Sequence, residues 1–294
     1  MKRPTLIFTV LLLVMMVVSL PVFLDLPLSV TILLLILYVM TLFAFSFTHG
    51  TQTFGVRTIT VFFAITAVVT YVMEWLGTHF GFPFGHYYYT NRLGPLLMDV
   101  PIVIPVQWFN ILYVCYIMVN IILAGGNRAE GQQEPVATQE LRLSSPVPRI
   151  LTTSIAAGLF MVAWDFINDP YMVGVGTWVW TDPTEFFGLA FQGIPLSNFI
   201  GWVFTAALTA LLFELYRHRY KVALKWVADT VSEPANILVI VPYLYALFFQ
   251  AINGIVAGVF TFDSIAGWAP IAVAAASMGL ATIATVVRYL RLRS

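Results

Sequence analysis

The sequence predicts an all-α protein: a polytopic transmembrane helix bundle of about eight spanning helices, with both termini cytoplasmic. Composition is the first indication, because 60% of the 294 residues are hydrophobic, only 10% are charged, and the mean hydropathy is +0.89. Soluble domains carry roughly 25% charged residues. A soluble fold could not bury so much apolar surface, whereas a bilayer removes that requirement. Segment lengths and the distribution of basic residues are the other two indications.

The helices are predicted from apolar segments of about 20 residues, the length that crosses a bilayer. These segments are 5–24, 28–48, 57–78, 100–123, 148–167, 194–216, 236–260 and 265–287. The first resembles a signal peptide, but it reaches spanning length and no small-residue cleavage site follows, so we interpret it as a span. Pro170 predicts that the fifth helix ends near Asp169, because a residue that precedes proline disfavours the helical conformation.

The basic residues predict the orientation. With the N-terminus inside, thirteen of the 14 lysines and arginines lie on inner segments and Arg92 alone lies outside, in agreement with the positive-inside rule. We therefore expect one multi-pass domain over 1–294 in the cell membrane. Segment 124–149 is predicted to be a cytoplasmic linker. Segments 79–99 and 168–193 are rich in Gly, Pro and aromatic residues, and they are predicted to be structured outer loops.

The two outer segments share a pattern that predicts an internal parallel repeat. A carboxyl residue, Glu74 or Asp165, precedes an aromatic and glycine-rich loop in each case. Each loop is followed by a proline, and a tryptophan stands seven residues after it, Trp108 after Pro101 and Trp202 after Pro195. Each proline fits the first turn of a helix that enters the membrane. The matching segments are short, so a true duplication and a chance similarity are both open.

Three carboxyl residues are the candidates for chemistry. Glu74, Asp165 and Asp169 lie near the outer ends of predicted spans, and ionisable groups in membrane helices are costly and usually functional. The two aspartates are four residues apart, so they share a helix face. Burial disfavours the charged form of a carboxyl, so the group can remain protonated near neutral pH and act as a general acid. The alternative is that helix ends or Arg92 satisfy these carboxylates at the interface.

Amide and aromatic side chains are concentrated on the same side. The amides join helices or together hold a water molecule; they are Gln107, Asn110, Asn198, Gln250 and Asn253. The aromatic residues form either an interfacial belt or a wall that grips a polyene and stabilises a cation; they include Trp75, Phe82, Phe84, Tyr87, Tyr88, Tyr89, Trp164, Trp178 and Trp180.

Several classes of function are disfavoured. A net charge of zero gives no case for nucleic-acid binding. All lysines lie outside the spans, which excludes a retinal Schiff base within the bundle. The carboxyl-bearing face lacks the aspartate-rich repeat and the cations that bind a magnesium diphosphate. His79 and His86 show no metal-ligand spacing, so we predict no metal.

The motifs in these segments resemble those of the CruF family of carotenoid hydratases, whose haloarchaeal branch comprises the bisanhydrobacterioruberin hydratases. The resemblance spans the third to sixth helices and their outer loops; its motifs are Glu74–Gly77, Gly81–Thr90, Val100–Pro101, Asp165–Pro170, Trp178–Trp180 and Gly193–Trp202. It implies cofactor-free addition of water to the terminal isoprenoid double bonds of a C50 carotenoid, which converts bisanhydrobacterioruberin to bacterioruberin.

The hypothesis is therefore acid-catalysed Markovnikov hydration. Glu74 or Asp165 is the candidate acid, and Asp169 or the other carboxylate, with Asn198, orients the water. The predicted substrate-binding residues are Trp75, Phe84, Tyr87, Tyr89, Trp164, Trp180, Asn198 and Trp202. The predicted partners are the C50 polyene, water, the lipid bilayer and other membrane enzymes of carotenoid synthesis.

Three alternatives stay open at this stage. A transporter or ion relay would use the same carboxylates, although it would favour charges near the midplane and broken helices. A structural scaffold would not need them for chemistry. Another carotenoid-modifying membrane enzyme, an elongase or a cyclase, is disfavoured by the missing diphosphate ligands.

Overall fold

The structure is a computed structural model that describes residues 3–19, 26–124, 146–222 and 234–293. This part of the chain contains eight α-helices of 17 to 29 residues, one single-turn α-helix, α7, and a three-residue 3₁₀ helix, Asn91–Leu93. In chain order the α-helices are α1 (Arg3–Ser19), α2 (Leu28–Phe54), α3 (Val56–Phe80), α4 (Val103–Leu123), α5 (Val147–Gly174), α6 (Leu196–Arg219), α7 (Pro234–Ile237), α8 (Ile240–Val256) and α9 (Ile265–Arg293). The predicted all-α bundle is confirmed.

Six helices are long and apolar enough to cross a membrane, namely α2, α3, α4, α5, α6 and α9. The other two, α1 and α8, have 17 residues each, which is the lower end of the spanning range of about 17–25 residues. Each of the eight predicted segments overlaps one of these helices. The side of the membrane on which the termini lie stays a prediction, and most of the predicted linker, 125–145, lies outside the described residues.

Helix α4 occupies the centre of the bundle. It packs against α2, α3, α5, α6, α8 and α9. Every side chain from Trp108 to Ile121 is buried, including the cysteine, Cys115. This helix is apolar on all faces, as a helix must be when other helices surround it.

Helix α5 is longer than the sequence predicts. It continues through Pro170 and ends at Gly174, so the expected end near Asp169 is wrong. A proline inside a helix removes one backbone hydrogen bond, but helices in a bundle tolerate this because neighbouring groups compensate. Here α5 is packed between α4, α6, α8 and α9. Asp165, Asp169 and Pro170 are all buried within it.

Six short strands give the two outer loops their structure. β1 (Tyr87–Tyr89) pairs antiparallel with β4 (Trp178–Trp180), and this pairing joins the two loops. Two tight hairpins complete the set, and they are formed by β2 (Leu96–Leu97) with β3 (Val100–Pro101) and by β5 (Ala190–Phe191) with β6 (Ile194–Pro195). Because β3 and β6 stand immediately before α4 and α6, these helices begin at 103 and 196, later than the predicted 100 and 194.

Phe84 anchors the first loop between two helices. A Cβ atom at Gly77 of α3 would lie 2.9 Å from its ring, and a Cβ atom at Gly201 of α6 would lie 2.7 Å from it. Both helices therefore need glycine at these positions so that the ring can fit. The Trp180 Nε1 atom donates a hydrogen bond of 2.9 Å to the Phe84 carbonyl, which ties the second loop to the same point.

Candidate active site

The two loops cover a cavity of about 560 Å³ in the bundle. That volume lies within the range of about 300–1,000 Å³ that is usual for small-molecule sites. Its wall is built by the two loops and by α1, α2, α3, α4, α5, α6 and α8. One end of the wall carries the carboxyl and amide groups, and the opposite side is apolar.

Glu74 is held at the polar end by three donors. The hydroxyls of Tyr87 and Tyr89 both donate to its Oε2 atom, the second at 2.7 Å. The Trp108 Nε1 atom donates to Oε1 at 2.8 Å. Only 5% of Glu74 is exposed. Its two oxygens thus receive three hydrogen bonds within the protein, which offset part of the penalty that burial imposes on a negative charge.

The two tyrosines lie in the loop, on one face of β1, because alternate residues of a strand share a face. Burial raises the pKa of both Tyr87 and Tyr89 well above the usual value, and the charge of Glu74 raises it further. Both side chains therefore keep their protons near neutral pH. They can act as permanent hydrogen-bond donors to Glu74.

Asp165 and Asp169 form the second acidic group, on α5. The Asn198 Nδ2 atom of α6 donates to Oδ2 of Asp165 at 3.2 Å and also to Oδ2 of Asp169. The three side chains are at most 2% exposed. Asp169 lines the cavity, whereas Asp165 lies behind it, outside the lining. Across the described residues, no ion pair reaches Glu74, Asp165 or Asp169.

Aromatic rings form much of the remaining wall. Trp108 and Trp202 are stacked, with ring centroids 4.1 Å apart and an angle of 17° between their planes. Trp164 packs against Trp202 at 5.7 Å, and Tyr87 packs against Trp180 at 5.6 Å. All five rings line the cavity. Several ring faces are therefore close to the carboxyl groups, where a positive charge on a ligand would be stabilised.

The apolar side of the cavity lies between α2 and α8. Its lining includes Leu34, Leu35 and Tyr38 from α2, and Ala246 and Phe249 from α8. Tyr38 and Phe249 are stacked, with centroids 6.1 Å apart.

The ends of this apolar side reach the protein surface. Leu28 and Val256 belong to the lining, yet they are 41% and 65% exposed. The cavity is therefore open at the protein surface, at an apolar edge between the start of α2 and the end of α8.

Most of the predicted site residues meet in this cavity. Its lining includes Glu74, Phe84, Tyr87, Tyr89, Trp164, Asp169, Trp180, Asn198 and Trp202. Two predicted residues are elsewhere. Asp165 is behind the wall, as described above. Trp75 packs on His79 and Phe80, at 4.8 Å and 5.6 Å, because consecutive residues of a helix point in different directions and Glu74 takes the inward one.

The structure adds residues that the sequence hypothesis did not assign to the site. Trp108 is the most important, since it both lines the cavity and donates to Glu74. Trp108 and Trp202 each stand seven residues after a proline, and this shared spacing is the sequence signal that could have identified Trp108. The other additions include Arg92, Gln107, Asn168, Trp178, Gln250 and Asn253. Asn110 instead joins α4 to α2, through a hydrogen bond of 3.0 Å to the Val39 carbonyl.

The histidines near the site pair with loop carboxylates. His79 lies 3.5 Å from Asp99, and His86 lies 2.5 Å from Glu185. The His86 backbone N–H also donates to Glu185, so this pair ties the first loop to the second. Over the described ranges, no three His, Cys, Asp or Glu side chains are grouped as metal ligands.

Comparison with known proteins identifies the family. The model of a family described as carotenoid biosynthesis protein matches residues 28–281. The bisanhydrobacterioruberin hydratase of Haloarcula japonica is 30% identical over 146 residues, which cover 49% of this chain and 41% of that relative's length. No solved structure matches the chain. Because the family match extends over most of the sequence, the chain belongs to the carotenoid biosynthesis protein family.

Proposed function

We propose that the protein is a carotenoid hydratase of the cell membrane, a cofactor-independent hydro-lyase. It adds water to the terminal isoprenoid double bonds of a C50 carotenoid, from bisanhydrobacterioruberin to bacterioruberin. The family, the name of the Haloarcula relative and the motifs support this assignment. The observation that carries it is the cavity itself, which is open at an apolar edge and has two separate acidic groups beside aromatic rings.

The hydrogen bonds favour different roles for the two acidic groups. Glu74 receives three donors, which suits a carboxylate. Asp165 and Asp169 share the single Nδ2 donor of Asn198. Neither aspartate forms an ion pair with the described residues, and two such neighbouring carboxyls hold a proton between them, because both cannot be charged at close range. Since Asp169 is the member that lines the cavity, it is the proposed general acid.

Hydration then proceeds in two steps. The Asp169 carboxyl gives its proton to the less substituted carbon of the terminal double bond, and the π electrons form the new C–H bond. The other carbon becomes a tertiary cation. A water molecule forms the C–O bond at this carbon, and its extra proton passes to the Glu74 carboxylate. Return of that proton to the Asp165–Asp169 pair restores the site, so the net change is alkene plus water to tertiary alcohol.

The wall supplies the environment that this cation needs. The stacked Trp108 and Trp202 rings and the neighbouring Trp164 ring present π faces, which attract positive charge most strongly where water is excluded. The loops above the cavity limit the number of water molecules that enter. This arrangement replaces a metal or an organic cofactor, because protonation and hydration of an alkene need only an acid, a base and one water.

The cavity accommodates one end of the polyene, while the rest extends between α2 and α8 into the bilayer. A substrate with two ends must therefore leave and turn before its second end reacts. We expect a product with one added water to accumulate early in a time course. Appearance of the doubly hydrated product alone, from the first time point, would contradict this geometry.

The decisive experiment is expression of the chain in a host that makes bisanhydrobacterioruberin but lacks its own hydratase. Mass analysis of the pigments should show gains of one and two waters, and growth in ¹⁸O-labelled water should place the label in the new hydroxyls. A host with the empty vector is the control. Unchanged pigment in cells that hold folded protein in the membrane would overturn the proposal.

A further inference from the structure

A pair of amides in the cavity wall has no part in the reaction proposed above. The Gln250 Nε2 atom of α8 donates to the Asn168 Oδ1 atom of α5 at 2.6 Å. Both residues line the cavity, and they are 5% and 3% exposed. Asn168 directly precedes Asp169 in the chain. The pair therefore brings a polar group from α8 to the acidic end of the cavity.

The pair leaves a buried acceptor unused. The Gln250 Oε1 atom is buried and receives no hydrogen bond from the described residues. Trp164, one turn before Asn168 and thus on the same side of α5, has a buried Nε1 donor that lacks a partner in the same part of the chain. Buried polar groups are normally paired. A hydroxyl group can both donate to an amide oxygen and accept from an indole N–H.

We propose that Asn168 and Gln250 form a hydroxyl-binding subsite, in which Gln250 Oε1 accepts a hydrogen bond from an O–H group in the cavity and Asn168 holds the Gln250 amide in place. This inference rests on the proposed function, because it concerns the ligand of the same cavity. The O–H group belongs either to a substrate that already carries a hydroxyl near its terminal double bond, or to the water that is consumed.

The subsite would make the protein selective among apolar ligands. A hydrocarbon end group would leave the Gln250 oxygen unpaired, whereas a hydroxylated end group would satisfy it. A site built to hydrogen-bond a hydroxyl discriminates against the analogue that lacks it. One hydrogen bond of this kind corresponds to about a tenfold preference in affinity.

The test uses the full chain in lipid nanodiscs and two acyclic carotenoids that differ only in a tertiary hydroxyl next to the terminal isoprenoid unit. Quenching of tryptophan fluorescence by the polyene measures binding, independently of turnover. The variants are Gln250→Met, which removes the acceptor at similar volume, and Gln250→Leu, which serves if the first does not fold. Gln250→Glu keeps a carbonyl oxygen, and its protonated carboxyl can donate an O–H to Asn168 Oδ1 in place of the Nε2 group.

The matched control is Asn120→Leu. Asn120 is also a buried amide, with its Oδ1 atom unpaired among the described residues and its Nδ2 atom bonded to the Tyr116 carbonyl, but it does not line the cavity. This variant tests whether loss of any buried amide changes binding. Asn120→Leu should behave as the wild type in both binding and turnover.

We expect the wild type to bind the hydroxylated carotenoid about tenfold more tightly. Loss of that preference in Gln250→Met, with recovery in Gln250→Glu, would assign the O–H group to the substrate. Unchanged binding with an equal fall in turnover of both carotenoids would assign it to water. No change in either measurement, or no recovery in Gln250→Glu, would overturn the subsite. A wild type that binds selectively without hydrating would reject the proposed function alone.

Discussion

The two halves of the site share one scaffold and differ in their chemical groups. In the first, α3 leads through β1 and the β2–β3 hairpin into α4; in the second, α5 leads through β4 and the β5–β6 hairpin into α6. Glu74 stands thirteen residues before the start of β1, and Asp165 stands thirteen residues before the start of β4. The order of elements thus follows the predicted parallel repeat, and β1 pairs with β4 where the halves meet.

The matching tryptophans are the clearest point of contact between the halves. Trp108 and Trp202 each lie seven residues after a proline, and their rings are stacked across the interface between α4 and α6. Their indole groups nevertheless have different neighbours. Trp108 donates to Glu74, while Trp202 packs against Trp164. The same position therefore supports an acidic group in one half and an aromatic wall in the other.

The differences concern the supply of hydrogen-bond donors. Position by position, the first half has Thr78 where the second has Asp169, and Ile104 where the second has Asn198. Tyr87 and Tyr89 hold the one carboxyl of the first half, whereas the matching strand residues of the second half are tryptophans. The two halves therefore share a scaffold but differ in their donors: Glu74 receives three hydrogen bonds, whereas the two aspartates share one donor. In the proposed mechanism, this difference separates the base from the acid.

The largest expected effect is that of Asp169→Asn. It removes the proposed acid and should lower the hydration rate by about 10²–10⁴-fold, the usual contribution of general acid catalysis. Thr78→Val is the matched control, since Thr78 occupies the corresponding position of the first half and does not line the cavity. The measurement is the hydration rate of each purified variant in nanodiscs, with its folding checked by size-exclusion chromatography. Near-wild-type hydration in Asp169→Asn would exclude Asp169 as the acid.

Glu74→Gln should have the next largest effect. The amide cannot accept a proton from the attacking water, and its NH₂ group conflicts with the Tyr and Trp donors around it. We expect a loss of about 10²-fold in rate, measured by the same assay. Asp263→Asn, an exposed carboxylate of the loop before α9, is the control. If Glu74→Gln were as active as this control, Glu74 would not be the base, and the difference in donors between the two halves would have no role in the reaction.

Much of this arrangement follows from the sequence by simple rules. Hydrophobic length located the helices, and the i, i+4 spacing placed Asp165 and Asp169 on one face, where Asn198 contacts both. The composition of the outer loops predicted that they are structured. These features are local along the chain, so periodicity and length are sufficient to predict them.

Other features depend on contacts between distant segments. The sequence predicted no strands, so the alternation that turns Tyr87 and Tyr89 inward and leaves Tyr88 52% exposed was not anticipated. The continuation of α5 past Pro170 depends on packing by other helices. Asp169 lines the cavity and Asp165 does not. This depends on how α5 is oriented in the bundle, which residue spacing alone does not predict.

Asp165→Asn should have a smaller effect than either change above, because Asp165 does not line the cavity. In the proposed mechanism it positions Asn198 and shares the proton of Asp169, so we expect a loss of about tenfold, the value of roughly one hydrogen bond. A cycle with Asn198→Ala tests this mechanism, because residues in one hydrogen-bond network give non-additive effects. If the two effects were simply additive, Asp165 would act independently of Asn198. A loss as large as that of Asp169→Asn would make Asp165 a member of the catalytic pair in its own right.

The smallest expected effect is that of Tyr89→Phe, which removes one of the three donors to Glu74 and leaves Tyr87 and Trp108 in place. A hydrogen bond to a charged group contributes about 1.5–3 kcal/mol, but two remaining donors compensate in part, so we expect a loss of about three- to tenfold in rate. Tyr88→Phe is the matched control, since Tyr88 lies on the opposite, exposed face of the same strand. Equal rates in Tyr89→Phe and Tyr88→Phe would mean that the number of donors does not set the role of Glu74, and that the difference between the halves lies in the aromatic wall instead.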